Sequence, residues 1–160
     1  MNRIIALLFI SILISCNPQE TDKTTRLEGF VFGTSYHITY VSNQQSDFQK
    51  SIDSLFYLVN KSLSTYLPTS DISKINAGDT SVVVDERFRE VFHKSKRIHQ
   101  ETNGYFDPTV GNLVNAWGFG PNEPQKELDS IAVQEMMDLV GFNKVQLVQQ
   151  QIVKDNPKIF

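Results

Sequence analysis

The sequence predicts an α+β fold, in which a mixed or antiparallel sheet packs on one side against at least three helices. Three observations carry this prediction. Apolar residues alternate with polar ones on both sides of Gly33, which is typical of strands. In two long central segments, apolar residues recur every three or four positions, which is typical of amphipathic helices. Nearer the C-terminal end, Asp129 is typical of a helix cap and residues 144–154 are typical of a hairpin.

The segment from Leu27 to Val41 is the first predicted sheet element. Aromatic and β-branched residues alternate before and after Gly33, so we expect two strands, or one bent strand, with a turn or bulge at this glycine. His37 has the opposite parity from Tyr36 and Ile38, so its side chain is expected on the solvent side.

Two amphipathic helices are predicted next, from Asp47 to Leu63 and from Asp85 to about Glu101. We expect the first to contribute its apolar stripe to the core. His93 and His99 both lie on the second helix, but six positions apart. This spacing does not place two metal ligands on one helix face, so a histidine metal site is not expected there.

Shorter elements separate and follow these helices. Asp71 is predicted to cap a short helical turn, and Asp129 is predicted to cap a third helix that runs to about Leu139 and is ended by Gly141. A hairpin is expected over residues 144–154.

The N-terminus carries an export signal. Arg3 precedes an apolar segment, Ile4 to Ile14, that is shorter than the roughly 20 residues needed to cross a bilayer. Ser15 and Cys16 follow as in a bacterial lipobox, which predicts a lipoprotein signal peptide over residues 1–15, lipidation of Cys16 by acyl chains such as palmitate, and a flexible tether over residues 16–26. The alternative is an ordinary signal peptide that is cleaved nearby and leaves Cys16 unmodified.

Composition excludes several other classes of site. Cys16 is the single cysteine, so the chain has no internal disulfide and no thiolate metal cluster. The formal net charge of −3 gives no support to nucleic-acid binding.

The segment from Gly104 to Gly120, GYFDPTVGNLVNAWGFG, concentrates glycines and aromatic rings around one carboxylate. Asp107 and Pro108 fit the cap and first position of a helix. Alternatively, Asp107 accepts an N–H from the edge of a planar ligand, whereas phosphate binding there would need a bridging cation. Trp117 is either a stacking surface or, more simply, a buried ring. Tyr66, close to Pro68, either presents its ring to a pocket or packs on a helix end.

Three segments together resemble successive motifs of one family. They are FVFGTSYHITY (30–40), LSTYLPTSDISKIN (63–76) and GYFDPTVGNLVNAWGFG (104–120), and they resemble the FAD:protein FMN transferases, the ApbE-type flavin transferase lipoproteins. The resemblance implies a magnesium-dependent reaction in which FAD is split, FMN is transferred to a threonine or serine of a target flavoprotein, and AMP leaves. It also implies attachment to the bacterial membrane on its periplasmic or extracytoplasmic side.

Matching the motifs position by position implies which residues contact FAD, whereas no catalytic or metal-binding residue is assigned. The implied FAD contacts are Phe32, Tyr66, Tyr105, Phe106 and Asp107. Phe32 replaces the methionine that is usual in the family, and Asn112 replaces a proline, a change expected to alter only helix stiffness.

The family pattern continues with an Ala-Lys-Gly segment and with magnesium ligands, so residues 27–160 are expected to be the N-terminal part of a flavin transferase domain, inactive alone. Two alternatives remain open. One is a lipoprotein that binds FAD without catalysis or hydrolyses it, and the other is a lipid-anchored scaffold domain without a ligand.

Overall fold

A computed structural model describes residues 22–43, 47–121 and 128–160, in two compact units formed by residues 1–49 and 50–160. The predicted signal peptide, Cys16 and the tether as far as residue 21 lie outside the described residues. The described elements are helices and antiparallel hairpins, which confirms the predicted α+β class.

The first unit contains a hairpin of β1 (Lys23–Val31) and β2 (Thr34–Ser42), so the two-strand alternative is the one observed. β1 begins inside the segment predicted as a tether. Glu28 lies opposite His37, and its Oε2 is 3.4 Å from His37 Nδ1 on the exposed face. His37 therefore faces solvent, as predicted.

A two-residue turn joins the strands. Phe32 has φ 54° and Gly33 has φ 77°, and positive φ at both positions matches the twist of a tight hairpin. Glycine adopts this conformation readily, whereas a bulky residue such as Phe32 does so at a cost. The turn therefore holds the Phe32 side chain, which is more than half exposed, in a strained backbone position.

The second unit is built from helices and a short hairpin around one apolar cluster. Its helices are α1 (Gln49–Leu63), α2 (Asp71–Asn76), α3 (Glu86–Glu101), α4 (Gly111–Ala116) and α5 (Ser130–Met137), and its strands are β3 (Val145–Val148) and β4 (Gln151–Lys154). The buried cluster consists of Ile75, Val84, Phe88, Phe92 and Phe142. It places the N-terminal half of α3 beside the segment that precedes β3.

The predicted caps of α3 and α5 are confirmed, whereas that of α2 is wrong. Asp85 caps α3 and Asp129 caps α5, each accepting a backbone N–H three residues later. The prediction that Asp71 caps α2 is wrong, because Ser70 is the cap. Ser70 is completely buried, accepts from Ser73 N at 3.1 Å and donates to Ser64 O at 2.6 Å. A hydroxyl can do both, whereas a carboxylate buried there could not donate.

Two further predictions need correction. The core role expected for α1 is wrong in its details: Leu55 is 52% exposed, and the buried residue of the helix is Ser62. Periodicity shows that a face is apolar but not what covers it. α5 ends at Met137 rather than near Leu139, because Leu139 and Val140 make tighter i→i+3 bonds before Gly141 turns at φ 146°. In the described part of the chain, no helix has the length and apolar character to cross a bilayer.

Candidate functional site

A tightly bonded loop connects α3 to the Asp107 segment. Asn103 and Gly104 both have positive φ, 51° and 84°, which reverses the chain directly after the helix. Gly104 N donates to His99 O at 2.8 Å, Tyr105 N to Thr102 O at 3.1 Å, and Phe106 N to Thr102 Oγ1 at 3.1 Å. Consecutive backbone groups are thus held in place, so this loop is stiff even though it lies at the surface.

Tyr105 sits at the tip of this loop and its side chain is 97% exposed. Phe106 is also exposed, though less so. A large ring presented to solvent on a fixed backbone loses little entropy when a flat ligand covers it. The loop therefore offers the aromatic surface that the sequence predicts.

The Asp107 carboxylate faces inward, and only 8% of its side chain is exposed. Its Oδ1 accepts from Thr109 N at 2.9 Å and from Thr109 Oγ1 at 2.6 Å, while Oδ2 accepts from Phe142 N at 3.0 Å. The predicted N-cap role is confirmed, with Pro108 in the first turn of a 3-10 helix, Pro108–Val110. Because the carboxylate occupies these donors, direct phosphate binding at this helix start is disfavoured.

The same carboxylate joins two distant segments. Thr109 Oγ1 accepts from Gly141 N at 2.7 Å, beside the bond between Asp107 and Phe142 N. Thr109 itself is buried. Asp107 and Thr109 therefore fasten the segment before β3 to the loop that carries Tyr105.

His99, on α3, makes a hydrogen-bond contact with the loop. Its Nδ1 lies 2.9 Å from Phe106 O and 3.4 Å from Asp107 Oδ2, and its ring centroid is 5.7 Å from that of Phe142. Sequence reasoning considered His99 only as a metal ligand and missed this role. The sequence signal that could have indicated this role is the position of His99 on the apolar face of α3, one helical turn after Ser95.

A cavity of about 220 Å³ brings the second and third motifs together. Tyr66, which follows α1, donates from its hydroxyl to Phe119 O at 3.2 Å. Both rings are exposed along one side of this cavity. Of the two interpretations of Tyr66, the one that presents its ring to a pocket is therefore observed. The remaining lining residues are Thr65, Ile72, Asn76, Pro108, Val110, Gly111, Val114, Asn115, Gly120, Pro121 and Phe160.

Two glycines of the third motif are required by close contacts. A Cβ on Gly120 would lie 1.8 Å from Asn115 Oδ1, and a Cβ on Gly111 would lie 2.5 Å from a ring atom of Phe160. Asn115 is buried, and its Oδ1 has no hydrogen-bond partner within the described residues. Any larger side chain at Gly120 would displace this amide from the cavity wall.

Two other residues of this segment differ from expectation. Trp117 is 60% exposed, so the prediction of a buried ring is wrong; the short α4 ends beside it, and Gly118 turns the chain at φ 82°. Asn112 Nδ2 donates to Lys158 O at 2.8 Å. The asparagine therefore does more than change helix stiffness, because it ties α4 to the segment after β4.

The structure thus brings Tyr66 to the third motif and joins Phe106 to Asp107 through His99. Phe32 belongs to the other unit and stands at the tip of its hairpin. Over residues 22–43, 47–121 and 128–160, no group of three or more His, Cys, Asp or Glu side chains is placed to hold a metal ion.

Comparison with known proteins agrees with the three motifs. A model of the ApbE family matches residues 32–159. The FAD:protein FMN transferase of Haemophilus influenzae is 31% identical over 153 residues, which are 90% of this chain and 44% of that protein. The Vibrio cholerae enzyme of the same name is 28% identical over 169 residues, covering 99% of this chain and 49% of its own length. The chain spans about half the length of these relatives.

Solved structures give the same result. The flavin transferase ApbE of Vibrio cholerae aligns with a TM-score of 0.80 at 30% identity, over 88% of this chain and 48% of that one. The flavinyl transferase of Pseudomonas stutzeri aligns with a TM-score of 0.76 at 23% identity, which supports the fold alone. With the family model extending from the hairpin turn almost to the last residue, and with the fold matched independently, this chain belongs to the ApbE family.

Proposed function

We propose that this chain supplies one wall of the FAD site of a flavin transferase, which moves FMN from FAD to a threonine or serine hydroxyl of a target flavoprotein. In this reaction the hydroxyl oxygen forms a bond to the phosphorus of the FMN half, the pyrophosphate bond to that phosphorus breaks, and AMP leaves with the electron pair. The observation that carries the proposal is a set of three exposed rings, Tyr66, Tyr105 and Phe119. Backbone hydrogen bonds fix Tyr105 and Phe119, and the Tyr66 hydroxyl bonds to Phe119 O.

The five residues proposed to contact FAD have different roles. Tyr66 and Tyr105 offer exposed ring faces, and Phe106 adds an apolar edge beside Tyr105. Phe32 stands on a strained turn, which is the kind of position that binding sites retain. Asp107 contributes chiefly by holding Thr109 and the Phe142 backbone in place, because its carboxylate is committed to internal donors.

Magnesium dependence is part of the proposal, and it rests on the family. The reaction needs charge neutralisation on phosphate oxygens, which a divalent cation supplies. The side chains of the described residues do not fit a metal site, since no suitable group of three acidic, histidine or cysteine residues occurs among them. We therefore assign no reaction step to this chain through the metal and expect it to transfer no flavin by itself.

Location is proposed from the N-terminal sequence. An acylated Cys16 would hold the protein on the outer side of a bacterial membrane. Mass spectrometry of the N-terminal peptide after expression in bacteria tests this. Diacylglycerol on Cys16 is the expected result, and an unmodified cysteine in a cleaved chain would contradict it.

Titration of FAD into the purified chain tests the proposed wall. We expect weak binding, and we expect Tyr105→Ala to weaken it about fivefold, since a stacked aromatic contact contributes about 1 kcal/mol. Tyr57→Ala is the matched control, because Tyr57 is an exposed tyrosine of the same unit outside the three motifs. Absence of binding, or equal losses in both variants, would contradict the proposal.

Transfer is measured separately. The chain is incubated with FAD, Mg²⁺ and a peptide that carries the acceptor threonine, and the peptide is then separated and examined for covalent flavin fluorescence. No labelled peptide is expected, and covalent flavin would overturn the view that the chain is inactive alone.

A further inference from the structure

His99 is a largely buried histidine that the proposed flavin chemistry does not use. Its side chain is 21% exposed, and it lies between the C-terminal end of α3 and the loop that carries Tyr105 and Phe106. One ring nitrogen, Nδ1, approaches two oxygens of that loop: Phe106 O at 2.9 Å and Asp107 Oδ2 at 3.4 Å.

The proton position follows from these partners. A carbonyl oxygen can only accept, so Nδ1 carries the hydrogen in the hydrogen bond to Phe106 O. The histidine therefore contacts the loop as a hydrogen-bond donor through Nδ1.

Groups from several elements surround the ring. The Asp107 carboxylate lies on the loop side, and the ring centroid of Phe142 is 5.7 Å from that of His99. His99 also borders a cleft of about 490 Å³, to which α3 contributes His93 and Lys96 and the segment after α5 contributes uncharged polar groups, Asn143 and Gln146.

We propose that His99 is a positioning residue of the flavin site, which fixes the Phe106 carbonyl and the Asp107 carboxylate so that the rings of Tyr105 and Phe106 stay in their binding orientation. This inference rests on the proposed function. His99 does not touch the flavin. It acts through the loop, whose other hydrogen bonds, at Gly104 N, Tyr105 N and Phe106 N, leave the Phe106 carbonyl to the histidine.

Two substitutions separate the contribution of the hydrogen-bond donor of His99 from that of its aromatic ring. His99→Phe keeps the packing against Phe142 but removes the donor, and His99→Asn keeps a donor near the Nδ1 position but removes the ring and its charge. His93→Phe is the control, because His93 is an exposed histidine on the same helix. Its ring centroid lies 5.9 Å from that of Phe92, edge to face. Affinity for FAD and amide hydrogen exchange of the loop are measured for each protein.

We expect His99→Phe to weaken FAD binding about fivefold, as loss of a hydrogen bond of about 1 kcal/mol does. His99→Asn should recover part of this loss. His93→Phe should bind FAD as tightly as the unsubstituted chain. Amide hydrogen exchange at Phe106 to Thr109 should accelerate in His99→Phe.

The outcomes distinguish the two proposals. If the unsubstituted chain binds no FAD, the proposed function fails, and the role of His99 in it fails with it. If the unsubstituted chain binds FAD but His99→Phe matches it in affinity, the positioning role alone is overturned. Equal losses of affinity in His99→Phe and His99→Asn would also overturn it, because the hydrogen-bond donor would then not be the group that matters.

Discussion

The two ends of the Gly104 to Gly120 segment are held by different kinds of force. The end around Asp107 is held by buried polar bonds: a carboxylate with three N–H or O–H donors, and a histidine on the carbonyl beside it. The end around Gly120 is stabilised by close packing. Gly120 leaves room for the Asn115 side chain, and Gly111 leaves room for Phe160. A hydrogen bond connects this end to the second motif, from the Tyr66 hydroxyl to Phe119 O, and it lies at the surface.

This difference determines how each end should respond to change. Buried polar networks are costly to leave half satisfied, so the Asp107 end should depend strongly on the identity of a few polar atoms. Close packing tolerates changes that restore the volume, so damage at the Gly120 end should be repairable by a second substitution.

Asp107→Ala should have the largest effect. It leaves the Phe142 and Thr109 N–H groups without their acceptor and removes a helix cap, so we expect the free energy of unfolding to fall by about 3 kcal/mol. Urea denaturation followed by circular dichroism measures this. Asp107→Asn is the control, because it keeps one acceptor and should cost about half as much. A loss below about 1 kcal/mol for the alanine variant would show that the network contributes little beyond an ordinary cap.

Gly120→Ala should cost about 2 kcal/mol, because its Cβ would collide with Asn115 Oδ1. Adding Asn115→Ala removes the colliding amide. In a double-mutant cycle the two substitutions should therefore be less costly together than the sum of their separate effects, by about 1 kcal/mol. Strict additivity would mean that Gly120 is needed for its backbone conformation rather than for space.

Asp85→Ala calibrates the comparison, since Asp85 caps α3 and has one further bond to another helix, from Ser62 of α1 at 2.9 Å. The loss should be about 1 kcal/mol. Although burial alone would raise it, hydrogen bonds from Phe88 N, Ser62 and Arg87 hold the pKa of Asp85 below its ordinary value. A lowered carboxyl pKa gives stability that is present above the unfolded value, about 3.9, and is lost as the pH falls through the folded one. Urea midpoints at about pH 3 and pH 6 should therefore differ less in Asp85→Ala than in the unsubstituted chain, and an unchanged difference would contradict this assignment.

Local signals in the sequence were sufficient for the element types and for most helix starts. Asp85, Asp107 and Asp129 each precede a helical pattern, and each caps the helix that follows. Ser70 and Asp71 are adjacent and both suit a cap, and what decided between them was burial against Ser64 O, which a local pattern does not contain.

Contacts between distant segments were beyond local reasoning for a physical reason. The bond from Asn112 to Lys158 and the bonds from Asp107 and Thr109 to residues 141–142 join positions more than 30 residues apart. No periodicity or capping rule encodes such pairs. The sequence therefore predicts the candidate site as rings around one carboxylate, Asp107, whereas the bonds that connect this carboxylate to residues 141–142 are seen only in the structure.

The smallest expected effect on stability is that of Tyr66→Phe, and it tests the closely packed end around Gly120 directly. The hydroxyl bond to Phe119 O is solvent-exposed, so its loss should change the free energy of unfolding by no more than about 0.5 kcal/mol. The ring remains, and with it most of the surface proposed to contact FAD. Affinity should therefore fall only about twofold, from looser placement of the Phe119 segment, whereas Tyr66→Ala should lower it about fivefold. If Tyr66→Phe lost as much FAD binding as Tyr66→Ala, the hydroxyl rather than the ring would be the group that matters, and this end too would depend on a polar bond.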